Sequence, residues 1–384
     1  MKITKDLSLA PLFTFDVSKE TPIFNWFHYK EGYSPGLIDY CLKGRGHSEV
    51  EKILDPFCGV GTTLLRSKQL GVSSIGADSS PLAVFVSRTK CADYSEEDVD
   101  AANGFIEKLE LTAEPTIKWD FELFSPRAAF PRSNYDAILS IREQIENAEL
   151  PVGSANLLLL ALLSILPQCS IIKKDGGVLK IDKKKSAMPA KNTFRKRVKE
   201  MISDLQNVPA VGPIPEVYLG DARELKMIEN ESVGITITSP PYLNNIDYSK
   251  IYGLELSLLA LDKSITKQTR SGSLRSFITS DSRVDEMPPE VGEIGDRIPI
   301  IGTYFSDLEK SMKEVYRVLK PGGEFHMNVT NSVIHKTHVL VDEVLAEIGE
   351  RLGFESDVII GAERIADVRP HKVKTRESIV VMRK

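Results

Sequence analysis

Short runs of β-branched and apolar residues, each ending at a turn-forming or polar residue, recur along the 384-residue chain. Such runs are typical of strands in a packed sheet. They predict seven strands, at residues 52–55, 73–78, 216–220, 233–238, 324–329, 356–361 and 378–382. Helical patterns lie between several of these strands, at residues 62–70, 305–319 and 339–352. Because strands and helices alternate, we predict an α/β fold with a mostly parallel sheet of about seven strands.

Two segments interrupt this alternation. Residues 96–212 have largely helical patterns, and residues 262–302 are polar and rich in Ser, Thr, Gly and charge. We therefore expect an N-terminal arm with the first part of the core (1–95), a helical insertion (96–212), and the second part of the core (213–384) with a loop insertion at 262–302. The longest apolar stretch, residues 155–166, is shorter than a membrane span, so it predicts a buried helix and no membrane role.

Charge is distributed unevenly along the chain. The net charge is −5, but residues 173–199 hold eleven Lys and Arg against two Asp, which gives +9 locally and leaves −14 on the rest. A polyanion would therefore meet one positive face on a negative body. The four cysteines are scattered and the histidines lack metal-binding spacing, so we predict no disulfide framework, no metal site and a cytoplasmic protein.

A glycine-containing loop joins the first predicted strand to the following helix. Gly59 and Gly61 let the backbone approach a ligand, and the helix N-terminus offers free N–H groups. Leu64 stands where a dinucleotide-binding loop has its third glycine, which disfavours a pyrophosphate. Asp55, at the end of the strand, would repel a diphosphate and suits a cationic ligand such as a sulfonium amino acid. A purely structural turn would use the same glycines, so the loop alone leaves both interpretations open.

Two further carboxylates follow predicted strands. Asp78 closes the second strand, where an acidic side chain typically accepts hydrogen bonds from ribose hydroxyls. Capping of the next turn is the alternative role for this residue. Asp221 follows the third strand and would lie at the same edge of the sheet, where ligands bind in open α/β folds. Together with Asp55, these residues predict a pocket for adenosine joined to methionine.

The fourth predicted strand is followed by Ser239, Pro240, Pro241 and Tyr242. Two consecutive prolines end the strand and hold the backbone carbonyls in fixed directions. A fixed carbonyl and the Ser239 hydroxyl can accept hydrogen bonds from the exocyclic amine of a base, which aims the nitrogen lone pair at a methyl donor. Tyr242 would offer a face on which an extruded base stacks. Taken alone, the motif also fits a plain Pro-Pro turn.

The motifs DPFCGVGTT (55–63) and TSPPY (238–242) together resemble the cofactor and catalytic motifs of the amino-methyltransferases of DNA. Residues 27–38 and 304–332 resemble neighbouring motifs, so the resemblance covers most of the chain. It implies a Rossmann-like methyltransferase sheet, S-adenosylmethionine as cofactor, double-stranded DNA as substrate, and a cognate restriction endonuclease system as a candidate partner. In this family, Ser before Pro-Pro goes with cytosine N4, whereas Asp or Asn goes with adenine N6.

The resemblance also assigns residues to roles. Ser239, Pro240, Pro241 and Tyr242 would be catalytic. Asp78 would bind the ribose, and Asp221 and Ala222 would lie by the adenine. The complete set expected beside the cofactor is Asp55, Phe57, Gly59, Gly61, Thr62, Asp78, Ser79, Asp221 and Ala222.

The basic stretch is the candidate for contacts with DNA phosphates, although a solvated face is an equal alternative. Arginines of the 262–302 insertion could reach base edges, unless that segment is only a surface loop. The predicted nucleic-acid contacts are Lys183, Lys184, Lys185, Arg195, Lys196, Arg197, Arg270 and Arg275.

Three other functions fit parts of the sequence. Adenine N6 is the alternative acceptor on DNA. An RNA methylase acting on guanosine N2 would share the DPFCGxGT motif, but such enzymes usually have Asp before Pro-Pro and an added N-terminal RNA-binding domain. A catalytically silent DNA-binding specificity subunit would keep the fold, whereas the intact Gly59 loop and the Ser239–Tyr242 motif favour an active enzyme.

Overall fold

In the computed structural model, one central sheet carries helices on both faces, and a largely helical insertion packs beside it. The structure describes the chain except residues 30, 31, 45–50, 112, 113, 176, 209, 210, 245, 278–285, 369 and 370. All four cysteines are buried free thiols.

The strands in the described part of the chain form one large sheet and two small hairpins. They are β1 (Lys2–Lys5), β2 (Ile53–Asp55), β3 (Ser74–Asp78), β4 (Ile172–Asp175), β5 (Val178–Ile181), β6 (Glu216–Leu219), β7 (Val233–Thr238), β8 (Leu319–Thr330), β9 (Ser332–Ile334), β10 (Thr337–Val339), β11 (Glu355–Val368) and β12 (His371–Arg383).

The large sheet has the strand order β1-β11-β12-β8-β7-β2-β3-β6. Its neighbouring strands are parallel except at β12, which is antiparallel to both β8 and β11. The predicted mostly parallel α/β sheet is therefore confirmed, with every predicted strand in it. The edge strand β1 was not predicted, because its four residues are all exposed and show no apolar alternation.

The helices cover both faces of the sheet and build the insertion. They are α1 (Pro35–Cys41), α2 (Thr62–Gln69), α3 (Pro81–Cys91), α4 (Glu96–Lys108), α5 (Arg132–Asn147), α6 (Val152–Cys169), α7 (Ala190–Asn207), α8 (Tyr248–Ile251), α9 (Gly253–Ala260), α10 (Ile265–Gly272), α11 (Glu293–Arg297), α12 (Pro299–Val318) and α13 (Val341–Leu352).

The two faces of the sheet bury different parts of the core because side chains alternate along each strand. On β2, Ile53 belongs to the apolar cluster that contains Leu37 of α1. The next residue, Leu54, belongs to the cluster that contains Leu308 of α12. Both strand residues are fully buried. This central strand is therefore held from both sides, and the loop that follows it starts from a fixed position.

The insertion is largely helical, as predicted, and its centre is α6. This helix has 18 residues and a mean hydropathy of 1.7, so by length and composition it is long enough to cross a membrane. It is longer than the predicted apolar stretch at 155–166. More than half of it is buried, against α4, α5 and α7, which is the packing of a core helix. The hairpin of β4 and β5 was not predicted, because its lysines hide the strand pattern.

The predicted loop at 262–302 is wrong for the part of this segment that the structure describes. Helices α10 and α11 lie in it, and α12 begins at Pro299, where proline suits the first helical turn. Residues 278–285 of the segment lie outside the described residues. Contacts with α8 and α9 hold α10 in place, and such tertiary contacts are not visible in local composition.

Candidate active site

The carboxyl ends of three neighbouring parallel strands bring the two sequence motifs together. Strands β3, β2 and β7 lie side by side, so the glycine loop, Asp78 and the Ser239–Tyr242 motif meet at one edge of the sheet. They line one cavity, here called the catalytic cavity. The predicted residues that line it are Phe57, Gly59, Thr62, Asp78, Ser239, Pro240, Pro241 and Tyr242.

The two glycines of the loop have different tasks. Both have a positive φ, 49° at Gly59 and 79° at Gly61, which favours glycine at each position. Gly59 lines the catalytic cavity and faces the ring of Tyr29. Gly61 does not line the cavity. A Cβ atom there would lie 2.9 Å from Oγ of Ser87, so Gly61 allows the loop to pack against α3.

Asp78 is held by the backbone of the loop it faces. Its carboxylate accepts hydrogen bonds from N–H of Gly59 at 2.9 Å and N–H of Ser80 at 2.8 Å. Burial raises the pKa of Asp78 to about 6, against the lowering effect of those two bonds. Asp78 also lines a second cavity, here called the adjoining cavity, together with the predicted Ser79. A carboxylate shared by two cavities can accept further bonds from a ligand that spans both.

Asp55 lies behind the catalytic cavity and does not line it. Its buried carboxylate accepts hydrogen bonds from Oγ1 of Thr238 at 2.5 Å, the hydroxyl of Tyr33 at 3.0 Å and N–H of Phe57 at 3.2 Å. Burial raises its pKa in spite of these donors. Asp55 therefore joins β2, β7 and the segment before α1, and it fixes the wall of the cavity from behind.

Asp221 and Ala222 line neither cavity. The carboxylate of Asp221 is engaged by the guanidinium of Arg223, with Nη2 to Oδ2 at 2.6 Å. Arg223 also pairs with Asp307 at 3.0 Å, and Ala222 is buried. The predicted contact of these two residues with adenine stays a prediction that this geometry does not support by itself.

The hydroxyl of Tyr242 is the centre of a buried hydrogen-bond network. It accepts bonds from Oγ of Ser239 and from Nδ2 of Asn328, each at 3.2 Å. It donates to Oε1 of Glu377 at 3.1 Å. Burial, followed by the charge of Glu377, raises the pKa of Tyr242 well above its ordinary value. The ring lines the catalytic cavity, whereas the hydroxyl points into the protein.

Sequence reasoning missed several residues of this site. Tyr29 and Tyr248 line both cavities, and Asn328 and Glu377 hold the Tyr242 hydroxyl. The signal for Tyr29 was its place in the upstream motif at residues 27–38. The signal for Glu377 was an acidic residue directly before the apolar run at residues 378–382.

The basic hairpin of β4 and β5 is connected to the cavity by stacked rings. Nζ of Lys174 lies 3.9 Å from the ring centroid of Tyr252 and pairs with the buried Glu255 at 2.9 Å. The ring of Tyr252 stacks on Tyr29, with centroids 4.7 Å apart. Tyr29 in turn lines the catalytic cavity. The hairpin is therefore anchored beside the site.

The predicted basic residues divide into two groups. Lys183, Lys184 and Lys196 are exposed. Lys185 instead donates to the carbonyls of Pro167 and Ile172, and burial lowers its pKa. Arg195 donates to carbonyls at the end of α4, including that of Ile106 at 2.8 Å.

A concave surface on α7, here called the basic groove, collects part of the predicted set. Arg195, Lys196 and Arg197 line it, together with Lys19 and Lys199. Arg197 donates to the carbonyl of Asn25 and to Glu200, so its charge is partly compensated inside the groove.

Arg270 and Arg275 are engaged within the chain. Arg270 pairs with Asp247 at 2.7 Å and with Glu122 at 3.3 Å. Arg275 grips the buried Asp307 with two guanidinium nitrogens, at 2.9 and 2.7 Å. Their predicted contact with DNA bases would require these pairs to open, because each arginine already directs charged donors to a carboxylate.

The sheet order with antiparallel β12, and a catalytic cavity at the carboxyl edge, define a Rossmann-like methyltransferase fold. No family model matches the chain. Over 417 aligned residues it is 26% identical to the Type II methyltransferase M.BsoBI of Geobacillus stearothermophilus, with 90% of this chain and 81% of that protein covered. It is 25% identical to the Type II methyltransferase M.AvaI of Nostoc sp. and of Anabaena variabilis, covering 94% of this chain and 84% of those proteins.

Similar solved structures include two S-adenosylmethionine-dependent methyltransferases. An S-adenosylmethionine-dependent methyltransferase from Archaeoglobus fulgidus aligns at a TM-score of 0.33 and 10% identity, covering 92% of this chain and 95% of that chain. Another, from Methanosarcina mazei, aligns at 0.32 and 11%, covering 88% and 93%. Over most of its length the chain is similar in sequence to Type II methyltransferases, as predicted.

Proposed function

We propose that the protein is a site-specific DNA methyltransferase that methylates the exocyclic amino group of an extruded base, with cytosine N4 as the preferred acceptor. One observation carries the proposal: the Ser239–Tyr242 motif, the Gly59 loop and Asp78 line a single cavity. A methyl donor and a base amine must approach within bonding distance. The residues expected to bind the donor and those expected to bind the amine line the same cavity.

The cavity residues fit the cofactor in chemistry. The two cavities share Tyr29, Val60, Asp78 and Tyr248. Asp78 would accept hydrogen bonds from the ribose hydroxyls. Gly59 has no side chain, so the space between its Cα atom and the ring of Tyr29 is free for the ligand. S-adenosylmethionine supplies an electrophilic methyl group on a sulfonium.

The Ser239–Tyr242 motif would prepare the amine for attack. The lone pair of an exocyclic amine is delocalised into the ring, so the nitrogen is a poor nucleophile. Hydrogen bonds from its N–H groups to Oγ of Ser239 and to a backbone carbonyl held by Pro240 would localise that lone pair. The ring of Tyr242 would stack on the base, since its hydroxyl is fixed on the far side by three partners.

The preference for cytosine N4 depends on Ser239. A hydroxyl group is the acceptor here, whereas relatives that act on adenine N6 have a carboxylate or amide in this place. The supporting geometry is that Ser239 lines the cavity and its hydroxyl is oriented by donating to Tyr242. Adenine N6 is the other outcome that the experiment below separates.

Exposed positive side chains of the insertion support DNA as the polymer. Lys183 and Lys184 follow the hairpin of β4 and β5 and are exposed, and Lys196 and Lys199 lie at the basic groove. Phosphate contacts of this kind position a duplex without reading its sequence. The relatives are Type II methyltransferases, a class that acts with a restriction endonuclease, and we propose such a system as the partner.

Methyl transfer followed by nucleoside analysis tests the proposal. Purified protein would be incubated with methyl-labelled S-adenosylmethionine and either amplified bacterial DNA, which carries no 4-methylcytosine or 6-methyladenine, or unmodified tRNA. After digestion, mass spectrometry identifies the labelled nucleoside. We expect 4-methylcytosine in DNA. The label in 6-methyladenine would correct only the base, and 2-methylguanosine in tRNA would overturn DNA as substrate. Cofactor binding without any transfer would indicate a silent specificity subunit.

A further inference from the structure

Behind the ring of Tyr242, a chain of hydrogen bonds leads from the catalytic cavity through the sheet. Oγ of Ser239 donates to the Tyr242 hydroxyl at 3.2 Å, and that hydroxyl donates to Oε1 of Glu377 at 3.1 Å. Asn328 donates to the same Tyr242 hydroxyl. Both lone pairs of the Tyr242 oxygen therefore accept hydrogen bonds, and its proton points at Glu377. The direction of the chain is therefore fixed from the cavity inward.

The far end of this hydrogen-bond chain is a buried carboxylate that pairs with an exposed arginine. Glu377 lies on β12, which places it next to β8 and β11, and its side chain is 2% exposed. Its second oxygen, Oε2, pairs with Nη2 of Arg364 at 2.7 Å. The Arg364 side chain is 49% exposed, so this pair joins the buried carboxylate to the surface. Glu377 does not line the catalytic cavity and would not touch the base.

A buried acidic residue at this place needs an explanation. Burial of a carboxylate costs free energy, and an apolar residue would continue the pattern of the strand that follows. The titratable and charged groups that face Glu377 are Tyr242 and Arg364, and Tyr248 acts on Tyr242. Burial raises the pKa of Glu377, although Arg364 and Tyr242 lower it. The group is thus a better proton acceptor than an exposed glutamate.

We propose that Glu377 is the terminal proton acceptor of methyl transfer, reached from the base through Ser239 and Tyr242. This inference rests on the proposed function. The amine nitrogen forms a bond to the methyl carbon, and the sulfur–methyl bond breaks with its electron pair left on sulfur. The cationic nitrogen then loses a proton to Oγ of Ser239 while the Ser239 proton moves to Tyr242 and the Tyr242 proton moves to Glu377.

The relay ends with a neutral carboxylic acid at Glu377, which must lose its proton to solvent before the next turnover. No other reactant is needed, since every proton accepted along the chain is matched by one passed on. Glu377 also positions the Tyr242 hydroxyl, so a loss of rate alone would not separate the two roles. The tests must therefore include readouts that a purely structural role leaves unchanged.

Single-turnover methylation of amplified DNA at saturating cofactor compares wild type with Glu377→Gln, Tyr242→Phe and the double variant. Each single change should lower the rate about a hundredfold, the usual contribution of a positioned proton acceptor. The double variant should be no slower than the slower single variant, because both residues act in one chain. The wild-type rate should rise with pH through the pKa of Glu377, and Glu377→Gln should lose that dependence.

Thermal unfolding without cofactor gives a readout independent of activity. Folding raises the pKa of Glu377 above its ordinary 4.5. The stabilisation that comes from holding Glu377 neutral is therefore complete below pH 4.5, and it is lost as pH rises through the pKa of Glu377 in the folded protein. The stability of wild type relative to Glu377→Gln should therefore fall with rising pH. The matched control is Glu309→Gln, which should leave the methylation rate unchanged. Glu309 is a poorly exposed glutamate of α12 that pairs with Lys313 of the same helix and with Arg351 of α13.

The outcomes separate the relay from the proposed function. Wild-type rate in Glu377→Gln, or a slow variant that keeps the pH dependence of wild type, would overturn the relay and leave DNA methylation intact. A uniform stability loss at every pH would assign Glu377 a structural role only. Absence of methyl transfer by the wild type itself would overturn the proposed function and the relay together.

Discussion

The catalytic cavity and the basic stretch at 173–199 were both predicted from local sequence, and the structure treats them differently. The cavity motif residues converge on one space, from three separate strands. The basic residues separate: Lys183 and Lys184 face solvent, whereas Lys185 caps a helix and Arg195 caps another. Glycine and proline restrict the backbone, so they predict position. A lysine or arginine side chain is long and can turn to either side of its helix or loop.

The largest expected effect tests the cavity side of this comparison. Tyr242→Ala removes both the stacking ring and the hydroxyl at the centre of the network, so turnover should fall by more than about a hundredfold. Cofactor affinity should stay within about twofold, because Asp78 and the Gly59 loop are untouched. Steady-state kinetics on DNA and calorimetric titration with S-adenosylmethionine check the two values. Wild-type turnover in this variant would refute the stacking role.

Asp78→Asn should weaken cofactor binding about tenfold to a hundredfold, the range for hydrogen bonds to a charged acceptor. Since the pKa of Asp78 is about 6, wild-type affinity should decline as pH falls through that value, and the variant should show no such decline. The stability of the folded protein depends on pH in the opposite direction. Because the pKa of Asp78 in the folded protein lies above its ordinary 3.8, the contribution of this residue to the free energy of unfolding is complete below pH 3.8 and is lost as pH rises through about 6. Calorimetry from pH 5 to 8 tests the affinity, and equal slopes for both proteins would contradict the ribose role.

Arg275→Ala tests whether a predicted DNA contact acts inside the fold. The change removes two guanidinium bonds from buried Asp307 and leaves it with Arg223. The free energy of unfolding should fall by about 2 to 3 kcal/mol, somewhat less than for a buried charge with no partner left. Denaturant titration measures it, with Arg132→Ala as the control, since Arg132 is 82% exposed beside Asp136. A stable variant that binds DNA weakly would restore the predicted contact with bases.

The smallest expected effects lie in the basic stretch itself. Lys183→Glu with Lys184→Glu should weaken DNA binding several-fold and flatten its salt dependence by about one unit of slope for each phosphate that is no longer neutralised. Thermal stability should not change. Lys185→Ala should have the opposite pattern. It should lower the free energy of unfolding by about 1 kcal/mol, because Lys185 caps the end of α6, and it should leave the salt dependence of DNA binding unchanged. Fluorescence anisotropy at several salt concentrations measures the slopes, and an equal response of the two variants would remove the distinction between them.

The sequence predicts the architecture well because the core strands of this sheet are apolar on both faces. Strands such as β2 and β7 appear as short apolar runs wherever the sheet is covered from both sides. The exposed edge strand β1 and the lysine-rich hairpin lack that pattern, so they could not be found. The helices in 262–302 were missed because salt bridges from Arg270 and Arg275 hold a segment whose composition is that of a loop.

The candidate site was predictable where it depends on backbone geometry and unpredictable where it depends on distant partners. Gly59, Asp78 and the Ser239–Tyr242 motif carry local signals. Asp55 lies at the end of its strand, as expected. Its carboxylate, however, accepts hydrogen bonds from Thr238, Tyr33 and Phe57 and does not line the cavity. Glu377 is 135 residues from Tyr242 in sequence, so only the folded sheet brings them together.

Strand β12 sets an order of events for the newly made chain. It inserts between β8 and β11, both of which precede it in the sequence, and it alone runs antiparallel to them. Pairing between segments far apart in sequence is slow, and a gap in the middle of a sheet exposes two unpaired edges. The ribosome must therefore deliver residues 371–383 before the sheet can close and before Glu377 can reach Tyr242. A chain interrupted upstream of this strand would leave β8 and β11 unpaired on the sides that β12 joins.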